Sequence, residues 1–273
     1  MSTDLSTDLS VTPDDLQQRL RAFPPPAVID VRRSPAFAED PQVIAGALRR
    51  APETIAEWAR ELEPWRPVVV YCVHGHNVSQ DAASFLHAAG FDARHLEGGL
   101  AGWRESGATT VPFAQPSRWV TRARPKIDRI ACPWLIRRFI DPAAEFFYVP
   151  NQEVRAFAAA NGATAYDVPD VTYTHVGAQC SFDAFIRIHA LAHPALDALA
   201  TIVRAADTSN LPLAAQAPGL LSVSLGLSAM FADDHAMLKW GMLVYDSLYA
   251  WCREAQAESH GWYPDELRAR EPA

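Results

Sequence analysis

Three short strand-like runs, separated by helical segments, constrain the fold of this chain more than any other feature. The runs span residues 27–30 and 68–72, which are mainly apolar, and more weakly 93–96; helical patterns between them cover residues 52–63 and 80–89. Parallel strands that are covered on both faces have continuous apolar sequences and need long crossover connections. We therefore predict that the first part of the chain is an α/β unit, a parallel sheet with helices on both faces.

Cys72 ends the second apolar run and opens a loop of six residues that leads into a helix near Ser79. Sites in open parallel sheets lie at the carboxyl ends of the strands. Loop amides and a helix N-terminus favour negative charge, and therefore the reactive thiolate form of a cysteine. We predict that Cys72 is a nucleophile; the alternative is a buried, unreactive cysteine. The loop residues predicted to contact the substrate are His74, Gly75, His76, Asn77 and Val78.

The composition excludes several classes of function. The chain has 273 residues, 49% hydrophobic and 21% charged, which is typical of one large or two ordinary globular domains. Its net charge of −8 argues against electrostatic binding of nucleic acid. Four cysteines without a CxxC pair indicate reduced thiols, and we expect a cytoplasmic protein. We expect no membrane partner, since residues 1–9 lack a signal-peptide core and no apolar run approaches about 20 residues.

A break in composition divides the chain. Residues 108–117 contain two prolines and no charge, and we place a linker at 113–117. The predicted domains are therefore 1–112 and 118–273, and we expect each to fold alone. Apolar residues recur at helical spacing towards the end of the chain, as at Leu238, Met242 and Tyr245. The second domain is predicted to be mainly helical, of the α+β class.

The first domain resembles the rhodanese family of sulfurtransferases. Besides the Cys72 loop, the similar segments are 28–32 (VIDVR), 44–47 (IAGA) and 95–103 (HLEGGLAGW). The resemblance implies that Cys72 carries a sulfane sulfur as a persulfide, with Asp30 and Arg32 as further catalytic residues. A small-molecule sulfur donor is the implied partner.

The loop departs from the usual pattern of that family. Val73 and Asn77 stand where many of these sulfurtransferases have arginines, and the loop is one residue longer before Ser79. His74 and His76 are its only titratable groups after the cysteine. Arginines bind anionic donors by charge-assisted hydrogen bonds. We therefore expect thiosulfate to be a poor donor, while persulfide chemistry is retained.

The second domain opens with a basic segment in an otherwise acidic protein. Residues 118–140 contain seven basic side chains and one acidic one. Pro133 fits the first position of a helix, which would make Cys132 its N-cap. Guanidinium groups suit a tetrahedral oxyanion. The residues predicted to bind it are Arg122, Arg124, Lys126, Arg129 and Cys132; the alternative is a solvated basic face with a core cysteine.

This domain resembles the C-terminal domain of the chromate-resistance regulator family ChrB. The similarity extends from the basic segment through residues 174–177 (THVG), 180–183 (CSFD), 202–208 and 224–228 to 241–253. It implies a role in chromate or metal-oxyanion resistance. A rhodanese-like domain stands where that family has its DNA-binding region, so a transcriptional role does not carry over.

Candidate metal ligands are His175, Asp207 and His235. Imidazole and carboxylate suit zinc, iron or manganese, so a single transition metal in the second domain is the predicted cofactor. The alternative is that each is a hydrogen-bonded structural residue. Three functions stay open: a sulfurtransferase, a sensor or binding protein for chromate or metals, and a metal-dependent enzyme with its site in the second domain. The sequence does not define an oligomeric state.

Overall fold

A computed structural model describes residues 9–258. The acidic N-terminus up to residue 8 and the end of the predicted second domain, from residue 259, lie outside the described residues. The strands of the first half are β1 (Ser10–Val11), β2 (Ala27–Asp30), β3 (Gln42–Ile44), β4 (Leu48–Arg49), β5 (Val68–Tyr71), β6 (Ala93–Leu96) and β7 (Thr110–Pro112). Its helices are α1 (Pro13–Arg19), α2 (Ser34–Glu39), α3 (Ile55–Trp58), α4 (Asn77–Ala88) and α5 (Gly99–Glu105).

The first half is a parallel sheet with the strand order β1-β6-β5-β2-β4. Alternate side chains of the central strands face opposite layers, as the pleat of a strand requires. Ile29 and Val70 pack with Trp58 and Leu86, from α3 and α4. Val69 lies in the core of the other face, which includes residues of α1 and α5. The predicted α/β class, with helices on both faces, is confirmed.

Two helix boundaries differ from the prediction. The segment 52–63 has only one turn of α-helix, α3, between 3₁₀ turns at Pro52–Thr54 and Ala59–Glu61. Helix α4 begins at Asn77, before Ser79, with His76 as its N-cap. The helix N-terminus therefore lies closer to Cys72 in the chain than the sequence pattern indicated.

The segment between the halves is anchored at both of its ends. Strand β7 pairs with β3 in an antiparallel manner, and the Phe113 amide donates to the Pro41 carbonyl at 2.9 Å. Ser117 donates from its amide and hydroxyl to Asp141, at 2.7 and 2.5 Å. Phe113 therefore packs with the first half and Ser117 with the second, so the connection is shorter than the predicted 113–117.

The second half is mainly helical, as predicted, with a small parallel sheet in the order β10-β8-β9. Its strands are β8 (Arg118–Arg122), β9 (Glu145–Val149) and β10 (Thr164–Ala165). Its α-helices are α6 (Asp128–Leu135), α7 (Val154–Asn161), α8 (Ser181–Ile188), α9 (Pro194–Asp207), α10 (Ala217–Met230) and α11 (Asp234–Ala250). One π-helical turn follows α6 at Ile136–Ile140, and another follows α11 at Trp251–Ala255.

The predicted position of Cys132 at a helix N-terminus is wrong. Helix α6 begins at Asp128, so Pro133 lies inside it and Cys132 is fully buried. A proline inside a helix removes the hydrogen bond to the carbonyl four residues earlier, here that of Arg129. The Tyr148 hydroxyl donates to this carbonyl at 3.3 Å. A tertiary contact thus replaces the missing helical bond, and the sequence pattern alone misplaced the start of the helix.

A buried ion-pair network joins the two halves. The side chain of Arg138 is fully buried and lies 2.6 Å from Glu63 of the first half and 2.8 Å from Asp246 of α11. The indole N–H groups of Trp65 and Trp134 donate to Asp246 at 3.1 and 2.8 Å. Because removing one member of a buried pair leaves a desolvated charge, this network couples the halves energetically. The halves therefore share a buried polar interface, and the independent folding of each half stays a prediction.

Among residues 9–258, no helix is long and apolar enough to cross a membrane.

We expect Asp246→Asn to destabilise the protein by about 3 kcal/mol, because Arg138 then keeps only one of its two buried carboxylates. Urea unfolding followed by tryptophan fluorescence measures this loss. Asp170→Asn is the matched control, since its partner Arg155 is 63% exposed and Asp170 itself 86% exposed. The control should change stability little. Equal stability of the two variants would contradict the role of the network.

Candidate functional site

Cys72 lies directly after β5, at the carboxyl edge of the sheet. Its Sγ is 3.2 Å from the Ser79 hydroxyl, which is itself 3.2 Å from the His76 carbonyl. An adjacent cavity of about 410 Å³ is lined by Arg32, Arg33, Ala36, Cys72, Val73, His74, His76, Asn77 and Val78. The predicted active loop therefore lines one cavity together with the Cys72 thiol. Gly75 is not among the lining residues.

The backbone of this loop forms an unsatisfied set of donors. Within the described part of the chain, no group accepts a hydrogen bond from the amides of residues 73–78. The carbonyls of Cys72 and Val73 instead accept bonds from Leu100 and Ala101 at the start of α5, at 2.9 and 3.0 Å. With their carbonyls held by α5, the loop amides stay available for an anion.

Two glycines permit this close approach of the loop to α5. Gly75 has a φ of +72°, and a Cβ there would lie 2.7 Å from the Leu96 carbonyl oxygen. Gly99 has a φ of +58°, and a Cβ there would lie 2.5 Å from the Cys72 carbonyl oxygen. Only glycine avoids both the backbone strain and the overlap. Gly75 therefore shapes the loop, and its predicted contact with substrate, which only its backbone amide could make, stays a prediction.

Asp30 and Arg32 form a buried ion pair at 2.6 Å behind the cavity. Arg32 also donates to the carbonyls of Asp40 and Gln42, both at 2.8 Å. Asp30 is fully buried and does not line the cavity, so it holds Arg32 in place. The geometry therefore favours a positioning role for Asp30, while Arg32 lines the cavity and its predicted catalytic role stays a prediction.

Arg33 is a cavity residue that the sequence analysis missed. It lines the same cavity as Cys72, and its side chain is 70% exposed. Its nearest carboxylate is that of Glu53, at 3.9 Å. The guanidinium is thus free to reorient towards an anion, unlike that of Arg32. Its sequence signal is the second arginine of the VIDVRR segment.

The other three cysteines are poor nucleophiles. Burial raises the pKa of Cys132 and of Cys180, and it raises the pKa of Cys252 to about 11. A thiol with a raised pKa provides little thiolate at neutral pH. Cys132, predicted to bind an oxyanion, is therefore a core residue.

A second polar cluster lies in the second half, where the ends of several elements meet. The His175 Nε2 atom is 3.1 Å from Asp207, 3.4 Å from Asp167 and 3.5 Å from Asp128. Asp128 begins α6, and Asp207 ends α9. The structure thus brings His175 and Asp207 together, as two of the three predicted metal ligands.

The pKa values in this cluster are strongly perturbed. Hydrogen bonds to Asp128 and Asp167 raise the pKa of His175 to about 10. Burial, followed by the charges of Asp128 and Asp167, raises the pKa of Asp207 to about 7, and burial also raises the pKa of Asp128. Burial would raise the pKa of Asp167 too, but hydrogen bonds from His175 and its other donors lower it. The cluster concentrates negative charge that favours a cation.

Backbone constraints hold the carboxylates in place. The amide and hydroxyl of Ser181, at the start of α8, donate to Asp128 at 2.6 Å and to Asp167 at 2.8 Å. Ile127 and Asp167 have positive φ angles, +36° and +52°. Such a conformation is strained for a β-branched residue, and strain of this kind concentrates at functional sites.

The predicted basic wall is only partly assembled. Arg122 and Arg129 lie 3.0 and 3.4 Å from Asp167, at the edge of the cluster. Arg124 points elsewhere and donates to carbonyls at the end of α10, including that of Phe231 at 2.8 Å. Lys126 is half-buried and makes no ion pair within residues 9–258. The two arginines of the cluster are thus the ones placed to meet an anion.

His235 does not belong to this cluster. Its ring packs against Tyr148, with the ring centroids 5.6 Å apart, and it lines a different cavity with Arg60 and Lys239. It fits the structural alternative. The sequence analysis missed Asp128 and Asp167 instead. Asp128 had a signal, since it is the one acidic residue in the basic segment 118–140. Asp167 had none, because it follows a strand of two residues.

Comparison with known proteins divides the chain in the same way. Residues 12–106 match the sequence model of the rhodanese-like domain, and residues 119–252 match that of the ChrB C-terminal domain. The thiosulfate sulfurtransferase GlpE of Pseudomonas fluorescens is 40% identical over 86 residues, covering 31% of this chain and 72% of GlpE. Protein ChrB of Cupriavidus metallidurans is 35% identical over 148 residues, covering 52% of this chain.

The chain spans 44% of the length of that ChrB protein. Among solved structures, a rhodanese-related protein from Thermoplasma volcanium is 29% identical, with a TM-score of 0.33, and the match covers 37% of this chain and 96% of that one.

We expect Gly99→Ala to destabilise the protein by roughly 2–5 kcal/mol, since it adds an overlap with the Cys72 carbonyl to the cost of a positive φ. Gly107→Ala is the matched control, because Gly107 also has a positive φ, +82°, but no atom within 4 Å of an added Cβ. Urea unfolding and the rate of Cys72 alkylation check both variants. The alkylation rate should change only in Gly99→Ala; a change of equal size in both would refute the packing argument.

Proposed function

Because this chain belongs to the rhodanese-like family, we propose that its first half is a sulfurtransferase that carries sulfur as a persulfide on Cys72. The observation that carries the proposal is the position of Cys72 at the N-terminus of α4, beside a loop whose amides have no acceptor among residues 9–258. Amides and a helix N-terminus stabilise a thiolate and equally a persulfide anion. The Ser79 hydroxyl lies 3.2 Å from Sγ and donates to the His76 carbonyl at 3.2 Å, so it would have to turn its single hydrogen to bond the thiolate.

The proposed reaction has two displacement steps. The Cys72 thiolate attacks the outer sulfur of a sulfane-sulfur donor, a new S–S bond forms, and the donor leaves with the electron pair of its broken S–S bond. The donor departs as sulfite if it is thiosulfate, or as a thiolate if it is a persulfide. A second thiolate then attacks the terminal sulfur on Cys72, takes it up as a persulfide and releases the Cys72 thiolate. No external oxidant or reductant is consumed.

The cavity favours donors with less charge than thiosulfate. Val73 and Asn77 provide no cationic group within the loop, and the guanidinium of Arg32 is held by Asp30. Arg33 is the one freely oriented cation among the residues that line the cavity. A small persulfide donor needs fewer charge-assisted bonds than a dianion. We therefore propose a small-molecule persulfide as the donor.

We further propose that the second half, which is similar to ChrB, binds a metal ion or a metal oxyanion. The convergence of His175 with three aspartates and two arginines favours this role over a purely structural domain. All four cysteines are free, which supports a reducing compartment, and we propose the cytoplasm. If Cys72 proves inactive, the same features support a sensor of metals or chromate.

Incubation with a persulfide donor such as glutathione persulfide should add one sulfur atom to Cys72. Peptide mass spectrometry locates the added mass, and iodoacetamide should alkylate Cys72 before the other thiols, whose pKa values are raised. Cys72→Ser should lose both reactions, while Cys252→Ser should keep them. Wild-type protein that never gains sulfur on Cys72 would contradict the enzymatic function.

Asn77→Arg should raise kcat/KM for thiosulfate by about tenfold or more, since a charge-assisted hydrogen bond contributes about 1.5–3 kcal/mol. Transfer of sulfur to cyanide provides the assay. Asn77→Gln is the control, because it changes the size of the side chain without adding charge, and it should leave the value unchanged. If kcat/KM for thiosulfate is the same in Asn77→Arg as in the wild type, the charge of the loop does not select the donor.

A further inference from the structure

We propose that Asp128, His175 and Asp207 bind a single divalent transition-metal ion. The proposal rests on the metal-binding function proposed for the second half and deepens it by naming the ligands. It replaces His235, which lies elsewhere, with Asp128. One ligand atom from each of the three side chains lies within 4.8 Å of the other two.

The spacing of these atoms fits a common ion. In a tetrahedral site with ligand bonds of about 2.0–2.1 Å, two ligand atoms lie about 3.3–3.4 Å apart. The His175 Nε2 atom is 3.1 Å from Asp207 Oδ2 and 3.5 Å from Asp128 Oδ2. These distances bracket that value. The Asp128 and Asp207 oxygens lie within 4.8 Å of each other, so side-chain adjustments bring the three atoms around one ion.

A direct hydrogen-bonded network explains the cluster less well. The Nε2 atom of His175 carries at most one hydrogen, yet three carboxylate oxygens surround it at 3.1–3.5 Å. Charge-assisted N–H···O bonds are usually about 2.7–2.9 Å long. The single hydrogen on Nε2 can bond to only one of these carboxylates. A metal ion would bind the His175 nitrogen and one oxygen each of Asp128 and Asp207 at the same time.

A second, independent observation is an unpartnered carboxylate oxygen. Asp128 is fully buried, and its Oδ1 atom has no hydrogen-bond partner among residues 9–258. Its other oxygen accepts from the Ser181 amide at 2.6 Å. An unsatisfied buried charged group costs more than a neutral one, so it calls for a further partner such as an ion. A cation that both oxygens of the Asp128 carboxylate bind removes the cost.

The charges around the cluster also favour a cation. Arg122 and Arg129 both pair with Asp167, and among residues 9–258 no arginine lies within ion-pair distance of Asp128 or Asp207. A divalent ion balances these two carboxylates and leaves His175 as a neutral ligand. Asp167, 3.4 Å from Nε2, then lies at the edge of the site with its two arginines. This arrangement puts cationic donors beside the metal, where an anionic ligand would bind.

The ligand set selects the class of metal. Two carboxylates and one imidazole suit zinc, manganese or iron, and three protein ligands leave a coordination position open. The side chain of His175 is 41% exposed, which gives an ion a route to the site. Zinc is the appropriate probe, since it binds such ligands more tightly than manganese or iron.

Titration of chelator-treated, full-length protein with Zn²⁺, in competition with a chromophoric chelator, tests the proposal. We expect one bound equivalent. His175→Gln and Asp207→Asn should each weaken binding more than about 100-fold, because even residues that only support a ligand are typically worth 10–100-fold. His235→Gln and the exposed Asp170→Asn are the controls and should bind zinc like the wild type. The Co²⁺-loaded protein should show a visible absorption band that disappears in the ligand variants.

Each outcome separates the ligand set from the broader function. Zinc binding that survives in both ligand variants overturns the proposed site but leaves metal binding by the second half intact. Chromate binding by equilibrium dialysis without any zinc binding overturns the metal site and supports an oxyanion function. If the protein binds neither zinc nor chromate, both the metal site and the binding function of the second half are wrong.

Circular dichroism of each variant checks that lost binding does not come from unfolding. The result for Asp128→Asn is used only if this variant is folded.

Discussion

The buried guanidinium of Arg138 is the interaction on which the arrangement of this molecule depends. A cation without solvent contact requires carboxylates at hydrogen-bond distance, and they come from Glu63 of the first half and Asp246 of the second. The indoles of Trp65 and Trp134 complete the shell around Asp246. Separating these desolvated charges has a high free-energy cost. The two halves are therefore held in one arrangement, with the surfaces around Arg138 buried between them.

The same chain handles negative charge in two different ways. Around Cys72 the donors are backbone amides without an acceptor in the described part of the chain, while amides of α5 donate to the loop carbonyls. In the second half, side chains from the ends of α6, α9 and a loop meet at His175. An amide cradle depends on glycines and local geometry, so it persists although the loop lacks arginines. A side-chain cluster depends on the packing of distant elements, and each member can be removed singly by mutation.

Several features of the fold followed from local patterns. Strands β2 and β6 match the predicted strand-like runs in full. Strand β2 is buried at every position, which gives a continuous apolar pattern, whereas β6 has half-buried Arg94 and His95 and a weaker one. Helix α1 begins after Thr12, whose hydroxyl accepts from the Asp15 amide as an N-cap should. The helix start predicted from Pro133 was wrong. Proline usually prefers the first turn of a helix, but here the Tyr148 hydroxyl bonds the carbonyl that Pro133 leaves free inside α6.

Sequence alone determined the α/β class of the first half, the position of Cys72 at the end of a strand, and the family to which each half is similar. These features rest on contiguous residues. Only the tertiary structure decided that Asp128 joins His175 and Asp207, that His235 does not, and that Arg122 and Arg129 meet Asp167. Such contacts join residues 32 or more positions apart from separate elements, as with His175 and Asp207. Periodicity and capping fix each element but not how its end meets another, because packing of the whole core sets that geometry.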